Sequence, residues 1–501
     1  MPLPQLAYVL GNHRTVQTVM KKASTILIGI LLCSIQTAFG TLRLPDILSD
    51  YMVVQQNDTM HLWGWAEPGN MVDVYVSWNR QASTQVLKDS TWSVAIPTPA
   101  GSYTPQTITI TETPKKHAYY PLPSIRLQYV LVGEVWLASG QSNMEMPLDG
   151  FWQCPVANAN REIAQSGDYT GHIRYLTVQH LMAFTPQDQA YGKWQECNPM
   201  TTPRWGAVGY FFAQQIEHIL HVPVGIINCS WGGTRIEAWM PQELLDAYGD
   251  VPTQPDSILA IPTEWMRPLV MYNAMLYPLR HYTVKGFLWY QGCSSIGLSG
   301  HYTDRQTDLI NHWRTLWGRE LPFYFVEIAP FRHEQADADW AAVLRAAQWR
   351  TMQKVTHCAG VCTNDLVQPY EIDNVHPADK QTVGQRLAWL ALHYDYGYTT
   401  IAADSPQMTK WEIHDNEIWV WFSHAQDGFS RYDDIQGFEI AGSDKHYVPA
   451  QVRANPDDLS CLILSAPSVL HPEYAAYCFH NFSLGNLANL RYLPVVPFRT
   501  E

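Results

Sequence analysis

The sequence predicts a parallel α/β domain flanked on both sides by β regions. Three observations predict it. Short apolar runs in the middle of the chain each stop at a cluster of small polar residues, and amphipathic helical stretches alternate with them. The segments before and after this middle part alternate apolar and polar residues between turn signals, as antiparallel strands do. A chain of 501 residues also exceeds one ordinary core, so several domains are expected at roughly 100–200 residues each.

Composition narrows the class. The apolar fraction is 46%, ample for burial. The net charge is −14 with no Lys/Arg-rich run, which argues against nucleic acid and anionic membranes as partners. Twenty Trp and twenty-seven Tyr are available for the core and for sugar-binding faces.

Residues 1–40 read as a signal peptide with an upstream extension. Met20-Lys21-Lys22 precedes an apolar run from Ile26 to Ile35, and Ala38-Phe39-Gly40 supplies small residues at cleavage spacing before Thr41. Met20 is the natural start of such a signal. The run is too short to span a bilayer, and Leu32 precedes Cys33 where a lipoprotein signal has a small residue. The expectation is a secreted or periplasmic protein without a membrane span or lipid anchor. The remaining cysteines are scattered, so either one or two disulfides or buried free thiols are expected. Cys358-x-x-x-Cys362 lacks the two further ligands of a zinc site.

Residues 41–130 read as a β-sandwich, with strands around Met60–Trp65, Val72–Ser77 and Thr107–Thr111. Residues 131–398 carry the α/β pattern. Trp205–Leu220 has helical apolar spacing and stops at Pro223. Val135–Ala138, Val224–Asn228, Val284–Tyr290, Pro322–Ala329 and Ala359–Cys362 read as strands, and Asp379–Leu392 as a helix. His333–Asp339 reads as a solvated acidic loop. Residues 399–501 return to alternation, with a hairpin signal at Asp415-Asn416 and strands at Val448–Val452 and Leu459–Leu464.

The chemistry concentrates where strands stop. Val135–Ala138 runs into Ser139-Gly140-Gln141-Ser142-Asn143, so Ser142 sits at a strand's C-terminal edge beside the N–H groups of a following helix. That edge is where α/β sheets bind ligands, and those N–H groups favour negative charge. Ser142 is therefore a candidate nucleophile. Val224–Asn228 runs into Cys229-Ser230-Trp231-Gly232-Gly233-Thr234, and the third strand into Gln291-Gly292-Cys293-Ser294-Ser295. Right-handed crossovers bring these ends to one rim. Asp373-Asn374-Val375-His376-Pro377 then offers an imidazole base, with a carboxylate close enough in sequence to orient it.

These motifs, in this order, resemble the sialate O-acetylesterase family of the SGNH hydrolases. The matching runs are G-E-V-W-L-A-S-G-Q-S-N-M-E, I-N-C-S-W-G-G-T-R-I-E-A-W, V-K-G-F-L-W-Y-Q-G and V-H-P-A-D-K-Q-T-V-G-Q-R-L. The resemblance extends over nearly all of the chain after residue 40. It implies a flavodoxin-like three-layer SGNH fold and removal of O-acetyl groups from sialic acids or related glycans, without metal or organic cofactor. It also implies Ser142 as nucleophile, His376 as base, and Asp373 as orienting acid with Asp365 as the alternative. The oxyanion donors would be the N–H of Ser142, that of Gly232 or Gly233, and the Gln291 side-chain amide. The sequence departs from the family at Cys293 and Ser295, where Glu and Asn are usual. Cys293 reads as a small packed side chain, and Ser295 as a shorter donor. Arg235 either contacts a substrate carboxylate or pairs with Glu237 or another neighbouring acid. A deacetylase of xylan or other plant glycans, and a catalytically weakened glycan-binding protein, are the alternatives.

Overall fold

The computed structural model describes residues 42–115 and 122–500, so the expected signal segment at 1–40 lies outside the described residues. The described chain opens with β1 (Val53–Gln55), β2 (Thr59–Trp65), β3 (Met71–Val76), β4 (Arg80–Gln85), β5 (Thr91–Pro97) and β6 (Ser102–Thr113). β3 pairs antiparallel with β4 and β6, while β2 and β5 form their own ladder. Val72, Val74 and Val76 of β3 are buried and their neighbours face outward. This alternation is what one packed and one solvated face requires.

The next strand, β7 (Ser124–Gly140), is 17 residues long. Its first part pairs with β6, and its second part enters the parallel sheet. The expected boundary at residue 130 therefore falls inside one continuous strand. This sheet adds β8 (Ile173–Thr177), β9 (Trp194–Glu196), β10 (Val224–Ser230), β11 (Gly286–Tyr290), β12 (Phe323–Val326) and β13 (Cys358–Val361). Their order is β13-β12-β11-β7-β10-β8-β9, parallel throughout except for β9 at the edge.

β10, β11 and β12 are buried at every position, because helices cover both faces. Ala207–Leu220 and Lys380–Asp395 pack on the face holding Trp136 and Ala138. Tyr302–Trp317 and Trp340–Arg350 cover the face holding Val135 and Leu137, and that core is continuous with the core of the N-terminal β region. The first of these helices stops where His221 turns left-handed ahead of Pro223. The helix Lys380–Asp395 starts at Asp379, whose carboxylate accepts from the Thr382 N–H at 2.9 Å.

The C-terminal strands are β14 (Met408–His414), β15 (Glu417–Phe422), β16 (Phe438–Ala441), β17 (Val448–Pro449), β18 (Gln451–Ala454), β19 (Cys461–Ser465), β20 (Tyr474–Tyr477) and β21 (Phe498–Arg499). They make two four-stranded antiparallel sheets over a core that includes Ile418, Ile440 and Leu464. The Asp415-Asn416 hairpin forms as expected, with Asp415 at φ 54°. This region docks on the α/β part of the chain. The Asn481 side chain accepts from the Ala341 N–H at 2.9 Å, and Arg499 pairs with Asp339 at 2.7 Å. The acidic loop expected to be solvated is thus held at its end by the C-terminal region. All eight cysteines of the described residues are free thiols, and no described helix is long and apolar enough to cross a membrane.

Candidate active site

Gly140 ends β7 at φ 134°, and a Cβ there would overlap the Tyr290 carbonyl oxygen. Glycine lets β7 and β11 close up as the chain turns. Gln141 then donates its N–H to Tyr290 O at 2.9 Å, and Ser142 opens a short helix, Ser142–Glu145. The Ser142 hydroxyl lies 2.8 Å from Nε2 of His376, 234 positions away. That is the spacing a proton transfer needs. The edge of the Phe151 ring packs against the His376 imidazole, with 5.2 Å between centroids. Burial, and next the charge of Lys380, push His376 down to about 4, while Glu145 pulls it upward. At neutral pH the imidazole is therefore unprotonated.

The expected orienting acids are elsewhere. Asp373 is 68% exposed at its side chain and points both carboxylate oxygens at Arg332, with Nε at 2.7 Å. Asp365 binds Arg386 bidentately at 2.8 and 2.6 Å. Neither hydrogen-bonds His376. The Asp-x-x-His spacing is close in sequence, but the loop sends the carboxylate outward to a guanidinium. Among the described residues the pair is a Ser–His dyad.

The expected oxyanion donors also divide. The Gly232 N–H is already given to Oε2 of Glu145 at 2.5 Å. The Gln291 amide is fully buried, donating to Thr234 O at 3.1 Å and to the Ser295 hydroxyl at 3.2 Å, while its oxygen accepts from the Tyr302 hydroxyl at 2.7 Å. It fastens the β11 turn to the Gly-Gly turn instead of facing the serine. Ser295 is buried, and its hydroxyl oxygen accepts from that same amide at 3.2 Å, so it is part of the same fastening. The N–H groups of Ser142 and Gly233 carry no hydrogen bond within the described residues. The Gly232 Cα faces the Ser142 side chain closely enough that an added Cβ would sit 3.3 Å from that of Ser142, so the turn borders the hydroxyl. Cys293 remains a thiol at neutral pH, because burial pushes it up to about 11.

Arg235 donates Nε to Ser294 O at 3.2 Å and has no carboxylate within 4.0 Å among the described residues. The pairing with Glu237 does not form, since Glu237 is taken by Arg305 at 2.5 Å. Trp265 lies over Gly233, and Trp231 stacks on His180 at 4.2 Å. A rim of aromatic rings beside a serine hydroxyl suits the apolar faces of sugars.

The sequence model of one family, carbohydrate esterase, sialic acid-specific acetylesterase, matches residues 132–393, more than half of the chain. This chain belongs to that family. As an acetylesterase-family member it is 27% identical to the sialate O-acetylesterase of Homo sapiens over 450 residues, covering 82% of each chain. It is 27% identical to that of Mus musculus over 489 residues, covering 85% of this chain and 87% of the mouse protein. The crystal structure of a carbohydrate acetylesterase from Xanthomonas citri superposes with a TM-score of 0.80 at 29% identity, covering 92% of this chain and 99% of that one. The protein is thus a carboxylic ester hydrolase acting on acetylated carbohydrates.

Sequence reading of this acetylesterase passed over three side chains inside the very runs that carry the resemblance. Glu145 binds both the Gly-Gly turn and His180, the latter at 3.1 Å. Asn143 and Lys380, both buried, bond to each other at 2.8 Å beneath the serine and histidine. The available signal was a polar residue next to Ser142 and a lysine at the first turn of a helix, neither of which announces burial.

Proposed function

We propose that the chain removes O-acetyl groups from sialic acids or closely related glycans through a Ser142–His376 acyl-enzyme mechanism. The observation that carries this reading is the 2.8 Å contact between the Ser142 hydroxyl and Nε2 of His376. His376 takes the serine proton as Oγ attacks the acetyl carbonyl carbon. The oxyanion so formed is met by the free N–H groups of Ser142 and Gly233. The tetrahedral intermediate collapses as His376 protonates the departing sugar oxygen, leaving acetyl-Ser142. Water then gives its proton to His376 and attacks the acetyl group, and acetate leaves with the proton returned to Ser142.

Arg235 supports an acidic sugar as substrate, because its guanidinium lacks a carboxylate partner among the described residues. The relatives named sialate O-acetylesterase agree with that assignment. The signal-like segment before Thr41 supports export to the periplasm or exterior. Acetate release from O-acetylated sialic acids, with acetylated xylan as comparison, tests the reading. Wild type should be active and Ser142→Ala inert, while a Ser142→Ala variant that keeps wild-type turnover overturns the mechanism.

A further inference from the structure

A Ser–His dyad without an orienting carboxylate raises the question of what holds the imidazole. The chain around His376 is fixed at successive peptide groups. The His376 N–H donates to Asn374 Oδ1 at 2.9 Å. The Val375 carbonyl, just before His376, accepts from Nδ2 of Asn143 at 3.0 Å. The Pro377 carbonyl, just after it, accepts from Nζ of Lys380 at 2.7 Å. The two side chains are joined, since Nζ also donates to Asn143 Oδ1 at 2.8 Å. Asn143 is the residue that follows the nucleophile. One linked pair of side chains thus ties the backbone on both sides of the base to the helix that starts at Ser142.

We propose that Lys380 and Asn143 are positioning residues, which fix the His376 backbone against the nucleophile helix in place of an orienting carboxylate. The inference rests on the Ser142–His376 reading given above.

A lysine is a costly choice for a mere prop. Lys380 is fully buried and has no carboxylate within 4.0 Å among the described residues, and burying an amine without an ion pair is unfavourable. An apolar side chain would fill the space more cheaply, but it could not donate to two oxygens at once. The amine also brings positive charge near the imidazole. The groups that act on His376 are Lys380 from the following helix and Glu145 from the nucleophile helix. Those that act on Lys380 are Glu371 and Asp379 from its own loop, Cys293 from the β11 turn, and Cys154 from the segment after the nucleophile helix. Lys380 itself is pushed down to about 7 by burial, with Glu371 the strongest opposing influence.

The test is a set of full-length variants assayed by steady-state acetate release: Lys380→Met, Asn143→Ala, the double variant, and Ser142→Ala as reference. A clamp that sets geometry lowers kcat by about 10²-fold, the cost of a misplacement on the order of 1 Å, with KM little changed. Because the two residues act as one unit, the double variant should lose no more than the worse single variant. Lys380→Met should also move the acid limb of the kcat/KM profile upward, because a positive neighbour of His376 is gone; Asn143→Ala, which keeps the amine, should not. A purely structural role would lower the melting temperature and the active fraction, while kcat per active site, counted by burst titration, stayed at the wild-type value. If Lys380→Met does not fold, Asn143→Ala alone decides by its kcat. Wild-type kcat per active site in both variants, with Ser142→Ala inert, overturns the positioning role alone. Activity that survives in Ser142→Ala overturns the dyad reading itself.

Discussion

Replacing Asp373 by Asn should leave turnover almost untouched. Its carboxylate faces Arg332, and the two side chains are 68% and 43% exposed. An ion pair that open to water is worth about 0–1 kcal/mol. Were all of it transmitted to the transition state, the rate would change by about fivefold at most. An acid that orients the catalytic imidazole behaves otherwise, since its replacement by an amide costs roughly 10⁴-fold in kcat. The two cases are far enough apart for a simple assay. The kcat and KM for acetate release from 4-nitrophenyl acetate and from an O-acetylated sialic acid should stay within about fivefold of wild type. A loss of about 10²-fold or more, at unchanged melting temperature, would refute the reasoning, because it would mean that Asp373 leaves Arg332 for His376 during turnover.

Other outcomes follow from the same geometry. His376 is displaced downward to about 4, so the neutral base persists as pH falls; kcat/KM should hold to mildly acidic pH and drop only near 4, and a midpoint near the ordinary histidine value would contradict this. Arg235→Met should raise KM for sialic substrates roughly 10-fold or more, the worth of a charge-assisted hydrogen bond, and leave neutral acetyl sugars unaffected; an equal change for both classes removes Arg235 from the substrate site. Gly140→Ala should destabilise the fold by at least about 1–3 kcal/mol, read by denaturant unfolding, because the added methyl meets the Tyr290 carbonyl at φ 134°; wild-type stability would count against the close approach of β7 and β11.

Much of this architecture was legible in the sequence, for identifiable reasons. β10 and β11 announce themselves as apolar runs cut off by small polar residues, and their ends meet at Ser142 as the crossover rule requires. β8 escaped notice because Ile173-Arg174-Tyr175-Leu176-Thr177 is short and carries a buried arginine, which is paired with Glu196 at 2.5 Å. The helix Tyr302–Trp317 escaped because its buried face includes Arg305, Gln306 and Arg314, which blurs the apolar stripe. In the site, the sequence identifies side chains that can do chemistry but not the direction in which they point. Gln291 and Asp373 both have the right chemistry; one is locked to Thr234 and Tyr302, and the other faces Arg332. Conversely, the roles of Asn143 and Lys380 depend on a contact across 237 positions that no local pattern encodes.

The strand β7 has a consequence for how this molecule could be taken apart. Because Ser124–Gly140 is both a wall of the leading β region and the middle strand of the catalytic sheet, no cut between the two leaves either with closed ladders. Trimming to the matched stretch beginning at residue 132 would sever that strand partway along and bare the apolar side of the sheet that the leading region covers. The front of the chain is therefore built into the same scaffold as the parallel sheet, through the one strand they share.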